Sequence, residues 1–290
     1  GVVFDVKGPT VRHDAFKDYK AHRKPMPDDL AVQVPVLKEV LRALKIPTAE
    51  FEKYEADDVL ATLARRAEER HLRAVIVTTD KDLFQVVSGS TAIYSPAKEK
   101  TFDEDGVKEV FGVTADRVTD VLSLWGDPTD NVPGVPGIGE KTAKSLIQEF
   151  GSLANLLRHL DRVRNPRIRE KIEQNRNLLE LSRQLVTVTR DLDVGLDLDA
   201  YALQEPDEKE VLRLFQRLEF TTLIADFVKK PRPEKKAYRA IFDERELAAL
   251  RNRISRAGFV ALDTETDSPF PTRARLVGMS FSLEPGEAYY

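Results

Sequence analysis

The sequence has no cysteine, which excludes disulfides and thiolate-held metals. It has only 4 histidines, too dispersed for a zinc cluster, and a single tryptophan. No apolar run approaches the ~20 residues that a membrane-spanning helix needs, and no signal peptide is visible. A surplus of positive charge is lacking too. Lys+Arg number 45 against 49 Asp+Glu, a net charge of −4. A nucleic-acid partner would therefore have to be met by local basic patches, with metal ions offsetting the acids. An initiator Met is also absent: the chain opens at Gly1 and stops at Tyr290 in what reads as a strand, so a piece of a longer intracellular polypeptide is expected.

Enough apolar sequence is present, at 41%, to build ordinary cores, and 290 residues predict two or three units. VVFD (2–5) and AVIVTTD (74–80) read as buried strands. Helical spacing recurs over Leu30–Leu44, interrupted by Pro35, and over 56–71. Strands alternating with helices predict a layered, mostly parallel α/β sheet. Beyond Asp103 the pattern turns helical, over 115–125, 139–150, 152–160, 166–185 and 207–219. KKPRPEKK (229–236) reads as a linker, and a second, unfinished α/β unit follows it. The expected division is 1–125 catalytic, 126–228 helical and DNA-binding, and 237–290 a partial domain.

Four acidic motifs stand out against this background: Asp5 closing VVFD, Glu55, Asp57 and Asp58 in YEADDVL, Asp80 and Asp82 in TTDKD, and Asp127 and Asp130 in GDPTDN. Each has an ordinary explanation in a helix dipole, a cap or a turn. Their recurrence at strand ends and helix starts, where α/β sheets bind ligands, favours a shared crevice. Carboxylates without cysteine or histidine select Mg²⁺ or Mn²⁺ over zinc. Two such ions roughly 3.5–4 Å apart would suit phosphodiester hydrolysis.

Two further segments point to DNA. Arg12, His13, Lys17, Lys20, His22, Arg23 and Lys24 crowd together with Phe16 and Tyr19 among them. This suggests phosphate gripping, with Tyr19 free to stack on a base. GVPGIGEKTAKSL (134–146) supplies Gly134, Gly137 and Gly139 before a helix start, with Lys141, Thr142 and Lys144 beside them. Glu140 separates Gly139 from Lys141, which excludes a nucleotide-binding P-loop and leaves a helix–hairpin–helix-like backbone clamp.

In order along the chain, VVFD, YKAHRKPMPDDL, EADDVL, TTDKD, GDPTDNVPGVPGIGEKTA and FVALDTETDSP resemble the N-terminal half of the bacterial DNA polymerase I family. The resemblance implies a flap-endonuclease-type 5′ nuclease fold with a helix–hairpin–helix-like subdomain, then the start of a ribonuclease-H-like 3′–5′ exonuclease domain. Asp5, Glu55, Asp57 and Asp58 would serve a first metal site, and Asp80, Asp82, Asp127 and Asp130 a second. Arg12, Lys20 and Arg23 would steer the scissile phosphate, the hairpin would clamp duplex with a K⁺ ion at its carbonyls, and Asp263 and Glu265 would be proofreading ligands. The implied partners are 5′-flap, nicked and RNA-primed DNA, met by a monomer in the bacterial cytoplasm without membrane contact. The family's first strand and its Asp should precede Gly1, so weak or absent 5′ cleavage and no proofreading are expected of this chain alone. Two rival readings remain: a duplex-binding module without chemistry, and a Mg²⁺-dependent phosphatase of small esters.

Overall fold

β-Branched and apolar runs supply the strands. In the computed structural model, which describes residues 1–193, 198–227, 237–268, 270, 272–284 and 286–290, β1 (Val2–Val3) pairs in parallel with β2 (Thr48–Ala49). β3 (Ala74–Val77) pairs in parallel with β4 (Thr91–Ser95), which is antiparallel to β5 (Lys100–Phe102). Around these strands lie α1 (Val11–Ala15), α2 (Asp28–Ala31), α3 (Gln33–Ala43) and α4 (Ala56–Glu69). The architecture is mixed α/β. The helix expected over Leu30–Leu44 is broken at Val32, between α2 and α3. Pro35 is instead accommodated in the first turn of α3, where its missing N–H is not needed.

Helices follow in succession: α5 (Glu104–Phe111), α6 (Ala115–Trp125), α7 (Glu140–Phe150), α8 (Leu153–Arg158), α9 (Pro166–Gln174) and α10 (Arg176–Val186). The helix expected over 166–185 is two, because Asn175 leaves helical geometry and turns its side-chain amide onto the Lys171 carbonyl at 2.8 Å. α6 is the shared wall of the molecule. Its Val118, Val121 and Leu122 are fully buried in one core with Leu83 and Ile93 of the α/β part and with Ile147, Leu179 and Leu185 of the helical part. Each such side chain contributes about 1.5–3 kcal/mol by burial. The expected boundary at 125/126 therefore falls beside a common core.

The described residues divide into two compact units, Gly1–Leu214 and Phe215–Tyr290. α11 (Glu208–Arg217) spans that division and α12 (Thr221–Phe227) follows it. In the second unit, β6 (Ala237–Arg239), α13 (Glu244–Arg256), β7 (Ala261–Thr266), β8 (Leu276–Ser282) and β9 (Glu287–Tyr289) form a sheet of order β6-β9-β8-β7. β6 and β9 are parallel and the other pairs antiparallel, with β7 an exposed edge. The expected linker at 229–236 lies outside the described residues. Among the described residues no helix is long and apolar enough to cross a membrane.

Candidate functional site

A cavity of about 410 Å³ gathers six of the expected acids: Asp5, Glu55, Asp57, Asp80, Asp127 and Asp130. Lys20, Arg23 and Lys81 share its lining with three threonines, Thr78, Thr79 and Thr129. Each acid arrives by a local device. Asp5 follows β1 and its Oδ1 accepts from the Ala56 amide at 2.7 Å, tying the strand end to the start of α4. Glu55 is the N-cap position of α4, with Asp57 in its first turn. Asp80 follows β3, and its carboxylate caps the next turn by accepting from the Asp82 amide at 2.8 Å. The cap reading and the pocket reading hold together at this residue.

The GDPTDN loop is held by a backbone crossing that only glycine permits. Gly126 and Gly134 have φ of +75° and +60°. A Cβ on Gly126 would stand 2.5 Å from the Val132 carbonyl oxygen, and one on Gly134 would stand 2.6 Å from the Gly126 nitrogen. Asp127 and Val132 exchange both backbone hydrogen bonds across the loop, at 3.0 and 2.8 Å. Lys20 N–H donates to the Asp130 carbonyl at 2.9 Å, and Asn131 Nδ2 donates to the Asp18 carbonyl at 2.6 Å. Lys20 itself adopts φ +55°, a left-handed conformation rare for a side-chain-bearing residue. The basic stretch and the acidic loop are thereby stapled together.

The chain's own cations pin these acids. Lys20 Nζ lies 2.7 Å from Glu55 and 3.6 Å from Asp130, Arg23 lies 2.6 Å from Asp130, and Lys81 lies 3.1 Å from Asp127. Among the described residues, no three acids stand in ready-made metal geometry. The donor set nevertheless fits a hard cation. Burial pushes the Asp57 carboxyl up to about 7, with repulsion from Asp80, Glu55 and Asp5 adding to it. Burial likewise raises Asp82 well above the usual carboxylate range, with Asp80 and Asp127 repelling it, and its Oδ1 is buried without a hydrogen-bond partner.

Several expected site residues have other work. Asp58 is 0% exposed, and Arg12 grips it with two hydrogen bonds of 2.6 and 2.8 Å. The Glu55 and Thr189 amides take up its remaining acceptor capacity. Arg12 is buried, and it also donates to the Leu185 and Thr187 carbonyls. This ion pair joins α1, α4 and the end of α10; neither residue lines the cavity, although Arg12 also stands 3.6 Å from the lining acid Glu55. Tyr19 is also buried rather than free to stack: its hydroxyl donates to Glu55 at 3.1 Å. Asp82 is half-buried and does not line the cavity.

The hairpin divides in the same way. Gly134 is buried, its amide donating to Ser182 Oγ at 2.9 Å, and it is therefore structural. Lys144 turns inward to the Val110 carbonyl at 2.7 Å and to Glu140. Gly137, Gly139 and Lys141 are exposed and Thr142 half-buried, at an α7 start that no side chain caps. The amides of that first turn face outward without helical partners. The Gly137 carbonyl accepts from Lys171 Nζ at 3.4 Å, where a K⁺ ion would draw an oxygen. In the second unit Asp263 and Glu265 are exposed on β7, and Asp263 accepts from the Thr264 amide. Lys81, missed as a functional residue in the sequence, was signalled only by its place between Asp80 and Asp82.

Fold and site define a mixed α/β protein with an acid-lined cavity suited to divalent cations. Residues 1–112 match the 5′-3′ exonuclease N-terminal resolvase-like domain and residues 113–209 its C-terminal SAM fold, and the chain belongs to this family. It is homologous to bacterial DNA polymerase I over that protein's 5′-3′ exonuclease region. It is 39% identical to DNA polymerase I of Pseudomonas aeruginosa over 100% of this chain and 34% of that protein. With the thermostable DNA polymerase I of Thermus thermophilus it shares 43% identity over 78% of this chain and 27% of that protein. The chain thus spans about a third or less of these curated relatives. A bacteriophage T5 5′-exonuclease with divalent metal ions (zinc) superposes with a TM-score of 0.55 at 19% identity, over 74% of this chain and 83% of that one. The catalytic core of Rad2 in complex with DNA substrate gives 0.52 at 20%, over 78% and 77%. At these identities the two structures establish the fold.

Proposed function

We propose that this chain hydrolyses DNA phosphodiesters at 5′ ends and 5′-flap junctions in a reaction that requires divalent metal, as the 5′ nuclease segment of a DNA polymerase I acting in primer removal and repair. The observation that carries the reading is the single cavity holding six acids, with Lys20, Arg23 and Lys81 on its lining. A bound T5 metal complex and a Rad2 complex with DNA substrate among its structural neighbours support the same class.

In this reading Asp5, Glu55 and Asp57 hold one Mg²⁺ or Mn²⁺, and Asp80, Asp127 and Asp130 hold another. Asp82, which does not line the cavity, joins the second set by its unpartnered oxygen. The ions, when bound, supply an activated water and charge neutralisation at the leaving oxygen. Lys20 and Arg23, which neutralise Glu55 and Asp130 beforehand, then face the scissile phosphate. Arg23 is 45% exposed and reaches solvent most readily. The outward amides of the α7 start, with Lys141 and Thr142, grip the duplex backbone. A K⁺ ion at the hairpin carbonyls would compete there with Lys171, whose ammonium donates to the Gly137 carbonyl at 3.4 Å.

The second unit is read as part of a ribonuclease-H-like domain, with Asp263 and Glu265 as its acids.

The test is cleavage of an end-labelled 5′-flap duplex with Mg²⁺, alongside a native gel for binding. A cut near the junction that a chelator abolishes is the expected result. Tight binding with no cut under any divalent ion would instead favour the duplex-binding module.

A further inference from the structure

Lys81 sits where its charge is most needed and has two partners at once. Its ammonium lies 3.1 Å from Asp127 Oδ2 and 4.3 Å from the ring centroid of Trp125. Its side chain is 29% exposed, on the cavity lining between Asp80 and Asp82. Loss of that ammonium would leave Asp127 Oδ2 without its ion pair in a cavity that it shares with Asp80 and Asp130. A cation arriving at that carboxylate would compete with it. Two cations cannot share the same carboxylate oxygen at bonding distance without mutual repulsion. The Trp125 face offers a resting place that holds a cation but requires no particular bond length.

We propose that Lys81 is a tethered counter-cation. It holds Asp127 in the metal-free protein, exchanges with the divalent ion taken up at that carboxylate, and then presents its ammonium to a DNA phosphate at the cavity mouth. The inference rests on the nuclease reading and adds a positioning residue to it. Metal uptake and phosphate gripping become one exchange of charge. Lys20 and Arg23 stand against Glu55 and Asp130 in the same manner. Lys81 differs in that its resting place is the only tryptophan in the chain, which makes the exchange visible.

The experiment is a Mg²⁺ titration of the whole chain without DNA, followed by Trp125 emission and, in parallel, by calorimetry. The native protein should show a saturable emission change that tracks metal uptake, because the ammonium moves off the ring. Lys81→Met keeps the aliphatic stem and removes the competitor. Its Mg²⁺ dissociation constant should fall about tenfold, and its emission should no longer respond. Lys81→Arg should restore the response, since a guanidinium can make both contacts. Flap cleavage by Lys81→Met at saturating Mg²⁺ should fall even though metal binds more tightly, a split that a purely structural lysine would not give. Unchanged Mg²⁺ affinity in Lys81→Met, or an emission change like that of the native chain, overturns the proposal. Absence of any Mg²⁺ binding by the native chain would overturn the nuclease reading itself.

Discussion

Two parts of this chain set a short acidic motif at or beside a β-strand, and the molecule treats them in opposite ways. After β1 and β3, Asp5 and Asp80 enter a walled cavity with four further acids, three basic side chains and a backbone crossing fixed by Gly126 and Gly134. On β7, Asp263 and Glu265 stand exposed on an edge strand. The two motifs look alike in sequence. The difference lies in what surrounds them among the described residues: the first cluster is walled in with Lys20, Arg23 and Lys81, and burial there raises the energy of neighbouring charges. Demand for cations, rather than the presence of carboxylates, is what singles out the cavity proposed to bind metal.

The sharpest way to break this comparison is to neutralise one acid on each side. Asp80→Asn keeps volume and removes a charge from the cavity. It should lower flap cleavage by about a hundredfold or more while duplex binding persists. Asp263→Asn should leave both unchanged. Equal losses in the two variants, measured as single-turnover rates at fixed Mg²⁺, would mean that the exposed strand also takes part in 5′ cleavage.

Next in size is a stability effect that separates Asp58 from Asp57, its neighbour in sequence. Arg12→Met strands the Asp58 carboxylate at 0% exposure. It should cost about 3–5 kcal/mol in denaturant unfolding, because a buried charge loses its partner. Asp57→Asn should cost far less or stabilise the metal-free protein, since it removes a repelled carboxyl. If the Arg12 variant unfolds at the native denaturant midpoint, the ion pair is not a fastener between α1, α4 and α10.

These two neighbours show where the sequence was legible and where it was not. The strand ends, the helix starts and the α6 stripe follow from local pattern, and so did the choice of crevice-facing acids as a group. Which of Asp57 and Asp58 faces the cavity was not legible, because the deciding partner, Arg12, lies 46 positions away. Tyr19 misled for the same reason. Its basic neighbours suggested an exposed ring, yet its hydroxyl meets Glu55, 36 positions on. Gly134 reads as a ligand-approach glycine by composition, but its neighbour is the chain's own backbone at Gly126. Local periodicity encodes faces; it does not encode which distant group will occupy them.

A third prediction uses pH on the metal-free protein. Asp57 rises from an ordinary 3.8 in the unfolded chain to about 7 when folded. Between those values the folded state keeps a proton that the unfolded state has lost. Stability contributed by this group is therefore present below about pH 4 and is lost as pH climbs towards 7, the reverse of a salt-bridged carboxylate. Asp82 is shifted in the same direction. Urea midpoints taken without metal should fall from pH 5 to pH 8, and Asp57→Asn should flatten the slope. Saturating Mg²⁺ should flatten it as well, because a bound ion replaces the proton. A midpoint that rises across this window would show that the Asp57 carboxyl is not strained.

The smallest effect distinguishes two lysines of α7, a single turn apart. Lys141 is exposed beside an uncapped helix start, whereas Lys144 is committed to the Val110 carbonyl and Glu140. A phosphate contact releases condensed counter-ions, so its loss reduces the slope of log affinity against log salt by about one unit. Lys141→Ala should show that reduction, with a modest loss of duplex affinity at low salt. Lys144→Ala should leave the slope unchanged and instead loosen the seat of α7 against α5, lowering thermal stability slightly. An equal slope change in both would mean that Lys144 abandons its internal bonds when DNA arrives. The hairpin would then rearrange on binding.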